Sequence, residues 1–127
     1  MRAIIAILGL TLTPVAGCGD DGSTEADRVG VAAECISSDD CPNSELQCLT
    51  QFKGGYCGLT GCAADADCPA GAACIAHVDG KNYCFRVCIE KIDCNRNRAP
   101  DVEANCSANI DFAQGGKGGK ACVPPSG

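Results

Sequence analysis

The chain has 127 residues, ten basic against sixteen acidic, a net charge of −6, no tryptophan and thirteen cysteines. The acidic balance argues against nucleic acid or anionic lipid as electrostatic partners. From Cys18 onward only seventeen of 110 residues are Ile, Leu, Val or Phe, about 15% and below the roughly 20% under which chains tend to stay disordered, so a domain held by an apolar core alone is excluded.

The first element, residues 1–17, has the form of an export signal. Arg2 supplies a positive charge and residues 3–10 are apolar apart from Gly9, a stretch too short to span a bilayer as a helix. It ends in Val15-Ala16-Gly17-Cys18, which resembles the lipobox of bacterial lipoproteins. The resemblance implies that the peptide is cut before Cys18, that the Cys18 thiol carries diacylglycerol and that the new amino group is acylated, palmitate being a usual chain. A membrane partner through lipid on Cys18 follows, within the cell envelope. Gly19 stands where an aspartate favours inner-membrane retention in some bacteria, so the outer membrane is the expected destination. The alternative is an ordinary secretory signal that leaves Cys18 a free thiol, an unusual liability in an oxidising compartment.

Residues 18–34 read as the lipidated cysteine and a flexible tether. The run Gly19-Asp20-Asp21-Gly22-Ser23-Thr24-Glu25-Ala26-Asp27 is small and acidic without apolar periodicity, as in solvated spacers. Removal of the signal also removes Arg2 and leaves nine basic against sixteen acidic residues.

The other twelve cysteines fall into three groups of four. Cys35, Cys41, Cys48 and Cys57 are separated by five, six and eight residues, and Cys62, Cys68, Cys74 and Cys84 by five, five and nine. Cys88 and Cys94 repeat the gap of five, but Cys106 and Cys122 follow after gaps of eleven and fifteen. Asp39-Asp40-Cys41-Pro42, Asp67-Cys68-Pro69 and Asp93-Cys94 align across the groups, as do Tyr56-Cys57 and Tyr83-Cys84. These agreements define a repeat at 35–57, a second at 58–84 and a divergent third at 85–127. With an export signal ahead of them, cysteines at this density mark a disulfide scaffold whose reduction should unfold the chain.

Within each repeat the aspartate before the second cysteine is expected to bond to amides two residues ahead, and in the first two the proline after that cysteine to fix a turn. The last two cysteines should flank a hairpin. Asp79-Gly80 is a strong type I′ signal, and with a two-residue turn Ile75 opposes Cys84 while Cys74 and Cys84 point to opposite faces. That parity excludes a bridge between third and fourth cysteines. First-to-third with second-to-fourth is preferred, giving Cys62–Cys74 and Cys68–Cys84, and the nested pairing stays open. In the first repeat a three-residue loop Lys53-Gly54-Gly55 with a left-handed glycine would keep the same parity. Gly115-Gly116-Lys117-Gly118-Gly119 widens the third loop into a flexible one. Loop tips are the places to look for a variable functional surface.

Taken with the lipobox, the second repeat, Cys-x5-Cys-Pro-x-Gly-x2-Cys-x9-Cys, resembles the cysteine-rich repeats of predicted lipoproteins from myxobacteria and related delta-class bacteria. It is also similar to the N-terminal cysteine-rich domain of Dickkopf proteins and to small EB-type modules. The likeness spans residues 35–94 and implies extracellular modules that bind other proteins. No specific contact residue is carried over.

The fold class expected is small and disulfide-rich, with tandem short β-hairpin modules and little regular secondary structure after the signal helix and tether. Catalysis is not expected: His77, the one histidine, reads as an exposed strand residue, with no free cysteine or serine motif beside it. No cofactor is implied. Zinc is disfavoured because no Cys-x2-Cys pair occurs. Calcium at Asp39/Asp40 or Asp65/Asp67 is disfavoured because turn capping accounts for those residues. Arg96-Asn97-Arg98 reads as solvated. The expected function is a cell-envelope lipoprotein displaying stapled modules for protein interaction or surface structure; the alternative is an inhibitor-like module that plugs a protease with a loop such as residues 78–81 or 96–98.

Overall fold

The structure, a computed structural model, describes residues 24–114 and 119–126. Cys18, the signal and most of the third repeat's glycine loop lie outside them. The strands are β1 (Gln47–Cys48), β2 (Cys57–Thr60), β3 (Ala72–Ala76), β4 (Asn82–Cys88), β5 (Asn105–Ser107), β6 (Asp111–Phe112) and β7 (Lys120–Val123). Two five-residue helices, α1 (Glu25–Val29) and α2 (Lys91–Asn95), accompany three short 3-10 turns. This is the small disulfide-rich fold with short antiparallel hairpins.

The repeats share one sheet instead of forming separate beads. Its order is β1-β2-β4-β3-β6, with β7 pairing both β4 and β5. β4 is the strand that joins them, because it carries the last cysteine of the second repeat and the first of the third, Cys84 and Cys88. β2, which starts at the first repeat's last cysteine, Cys57, and runs into the second repeat, pairs with it through Leu59 opposite Cys84, and the third repeat pairs with it through Ala121 opposite Val87.

Sulfur and aromatic rings supply the core that Leu, Ile and Val are too few to fill. Tyr56, Tyr83, Phe85 and Ile75 are fully buried together with Cys57, Cys74, Cys84 and Cys122. Phe52 sits among Tyr56, His77, Tyr83 and Phe85 at centroid distances of 5.2–6.3 Å, so rings from the first and second repeats interlock.

Part of the expected tether is folded. Thr24 and Asp27 cap α1 reciprocally, Ala26 donates to the Ala70 carbonyl at 2.7 Å, and Val31, Ala32 and Ala33 are buried. Ala32 donates to the Cys57 carbonyl at 2.9 Å and Ala33 accepts from the Cys57 amide at 3.0 Å. Tether composition therefore does not describe residues 24–34, where the capping sequence and the small apolar residues after it find partners on the repeats.

The hairpin register also differs from the expected one. His77 N–H donates to the Lys81 carbonyl at 2.9 Å and Gly80 N–H to the His77 carbonyl at 3.0 Å, enclosing a three-residue loop, 78–80, with Gly80 at φ +85°. One additional loop residue moves the pairing by one, so Cys74, not Ile75, faces Cys84. Cys106 faces Cys122 as well, and Cys48 faces Cys57 because Leu49 N–H donates to the Tyr56 carbonyl at 2.9 Å, closing an even-numbered loop in place of the expected three-residue Lys53-Gly54-Gly55.

Candidate interaction surface

Each repeat is a one-turn knuckle fastened to a hairpin by two bridges. The first cysteine bonds the third and the second bonds the fourth: Cys35–Cys48 with Cys41–Cys57, Cys62–Cys74 with Cys68–Cys84, and Cys88–Cys106 with Cys94–Cys122. Parity is not the reason, since the third and fourth cysteines share a face in all three hairpins. Both point at the knuckle, and each takes one of its cysteines. A bridge across the hairpin would staple strands already joined by backbone hydrogen bonds and leave the knuckle loose.

The repeated aspartate shapes that knuckle by reaching backward. Asp40 Oδ2 accepts from the amides of Ile36 and Ser37, Asp67 Oδ2 from Ala63 and Ala64, and Asp93 Oδ2 from Ile89 and Glu90, all at 2.9–3.1 Å. The expected forward bonds are replaced because the amides at the start of a helical turn have no other partner, and they lie three and four residues back. Those bonds hold the Asp40 and Asp93 carboxyls below the usual aspartate range. Ser38 Oγ and Asp65 Oδ1, at equivalent positions, accept from the amides of Cys48 and Cys74, both at 3.0 Å. Lys91 occupies that position in the third repeat and pairs instead with Glu103 at 2.7 Å.

Three sulfur triplets, Cys35/Cys41/Cys57, Cys62/Cys68/Cys84 and Cys88/Cys94/Cys122, each gather within 4.8 Å. Their closeness follows from two bridges lying side by side, and every sulfur in them is spent in a disulfide.

His77 is half-buried, not exposed: its ring lies 5.4 Å from Phe52 and 5.7 Å from both Tyr83 and Phe85. The residue lies beneath the hairpin tip. At the tip itself Val78 is 95% exposed, and the turn under it is fixed by hydrogen bonds. Asp79 accepts from the Lys81 amide at 2.9 Å and from the Tyr83 hydroxyl at 2.6 Å, while Tyr83 accepts from the Gln51 side chain at 3.1 Å. Burial and the Asp79 carboxylate raise the Tyr83 phenol above its usual range. The result is an apolar side chain offered to solvent on a preorganised base, a form suited to protein recognition.

The basic run of the third repeat divides. Arg96 is exposed, 3.5 Å from Asp93, but Arg98 is buried. Its guanidinium donates to the carbonyls of Val102 (2.7 Å), Ala32 (3.1 Å), Gly55 (2.7 Å) and Lys53 (2.9 Å), and stands 5.9 Å from the Tyr56 ring centroid. Loop carbonyls without ladder partners need a multivalent donor, and arginine's five N–H groups supply one; a solvated basic run does not describe this residue. No sequence motif marks Arg98. Thr24-x-x-Asp27, by contrast, is a capping-box signature that could have located the folded start.

No family model, curated protein or solved structure matches this chain.

Proposed function

We propose that this protein is an exported, lipid-anchored module of the bacterial cell envelope that presents a disulfide-rigid surface to a protein partner. The observation that carries the reading is the β3–β4 tip, where Val78 is 95% exposed above a turn held by Asp79, Tyr83 and Gln51. Rigid presentation of an apolar side chain lowers the ordering cost of association. The bridges add support from the other end of the chain: they consume all twelve cysteines after Cys18 in pairs, so lipid on Cys18 leaves no odd thiol. The resemblance to myxobacterial lipoproteins agrees with that partition, and Gly19 in place of an aspartate favours the outer membrane.

The chemistry-bearing side chains have structural duties consistent with a non-catalytic role. His77 packs among rings, Asp40, Asp67 and Asp93 hold knuckle amides, and Tyr56 is buried with its hydroxyl donating to the Cys122 carbonyl at 3.0 Å and accepting from the Arg86 amide at 3.1 Å. The test is a photo-crosslinking residue placed at Val78 in cells. A discrete adduct absent when the same group replaces exposed Ala108 is expected; equal labelling from both positions would remove the tip as the contact. A second reading, a protease-plugging loop, draws on the same exposed Val78, and stoichiometric inhibition across a protease panel would favour it.

A further inference from the structure

Thr24 lies at one end of the β3–β4 hairpin, and Val78 stands at the other. Thr24 is pressed against Gly71, where an added Cβ would overlap Thr24 Oγ1. Its amide donates to Asp27 at 2.9 Å, and Asp27 accepts from Arg86 Nε at 2.6 Å. Gly71 in turn accepts from the Val87 amide at 2.8 Å. Thr24, Gly71 and Val87 thus lie together, and the length of β4 separates them from the tip by about 20 Å.

The entry end mixes exposed apolar side chains with the charged Asp65, Glu90 and Lys91. A groove of about 590 Å³ there is lined by Pro69, Ala70, Gly71, Ala72, Val87 and Phe112, among others. Val87 on its rim is 39% exposed; Ile89, two residues on, is 82% exposed, and Ile92, in α2, is 56% exposed. Val87, Ile89 and Ile92 fall within six residues, where the chain passes from the end of β4 through a bend into α2.

Five residues separate Cys18 from Thr24. Even fully extended, that arm places Thr24 no more than about 20 Å from the lipidated sulfur. We infer that the bilayer holding the Cys18 lipid is also the partner of this end: the groove and the Val87, Ile89 and Ile92 row rest on the lipid surface, and the hairpin directs Val78 away from it. The inference rests on the lipid-anchored reading above. It replaces a domain floating on a long spacer with one seated in a fixed orientation, where apolar burial at the interface adds to the acyl anchor.

The absence of tryptophan makes single-tryptophan reporters clean. Ile89→Trp, Ile92→Trp and Val78→Trp all change exposed positions. Each full-length protein, extracted from membranes, is reconstituted into phosphatidylethanolamine–phosphatidylcholine vesicles with brominated acyl chains. Emission from the Ile89→Trp and Ile92→Trp proteins is expected to shift to the blue and to be quenched at least twofold more than that from Val78→Trp. Proteins that float with the vesicles but show equal quenching at all three positions would overturn the seating and leave the anchor intact. Failure to float, with no acyl mass on Cys18, would overturn both.

Discussion

Arg98 donates to the carbonyl of Gly55 at 2.7 Å across 43 residues of sequence, fastening the third repeat's insertion to the first repeat's hairpin loop. The same guanidinium serves the carbonyls of Ala32, Lys53 and Val102. Arg98→Ala should therefore cost about 3 kcal/mol, because removing the donor strands several buried acceptors. Arg98→Lys should recover less than half, since an ammonium cannot reproduce the fork. Urea unfolding without reductant measures both; a loss below about 0.5 kcal/mol in the alanine variant would mean that water satisfies those carbonyls equally well.

Asp27 joins the start of the fold to β4. It closes the α1 capping box and forms an ion pair with Arg86, both side chains being largely buried. Asp27→Ala should lower stability by about 1–2 kcal/mol. It should also open residues 24–34 to limited proteolysis, whereas in the parent protein cleavage should stop before Thr24. Equal cleavage across residues 19–34 in the parent would restore the long tether.

Acid should weaken the knuckles. The Ile36 and Ser37 amides lower the Asp40 carboxyl below the ordinary 3.8, and the Glu90 and Ile89 amides do the same for Asp93. Burial opposes the shift at Asp27, but the Thr24 amide and Arg86 outweigh it. A depressed folded-state value contributes stability that is complete above the unfolded value and is lost as pH falls toward the folded one. Urea midpoints should hold from pH 7 to about 5 and decline below about 4, and Asp93→Asn should flatten the decline. A midpoint that rises on acidification would contradict this.

Both tyrosines should resist ionisation. Burial raises the Tyr56 phenol far above 10.0, and burial with the Asp79 bond raises Tyr83. Values raised in the folded state give stability that is present below the unfolded value and lost as pH climbs past it. Absorbance at the phenolate band should stay flat through pH 10 and rise only as the fold opens. A reversible step near the ordinary value in the folded protein would contradict the packing around them.

In the sequence the crossed pairing rests on a parity that the structure overturns, with the nested pairing left open; cysteine spacing made the short hairpins legible. The hairpin register was not: Asp79-Gly80 suits a two-residue turn, yet also fits the last two positions of a three-residue loop, and only packing of Cys74 and Cys84 toward one knuckle selects between them. His77 and Arg98 were misread because each is polar by type but is buried or half-buried through partners distant in sequence, Phe52 for one and Gly55 for the other. Fusion of the repeats was hidden for a similar reason. The strands that merge them, β2 and β7 on β4, are too short to announce their neighbours.

The central claim, one lipid anchor and three crossed pairs of bridges, is tested most directly by mass spectrometry of membrane-extracted protein, intact and as unreduced peptides. The expected result is acyl mass on an N-terminal Cys18 and linked peptides joining Cys35 to Cys48, Cys41 to Cys57, and so on through Cys94 to Cys122. A Cys18 that is free or bridged to another cysteine, or peptides joining Cys74 to Cys84, would contradict it.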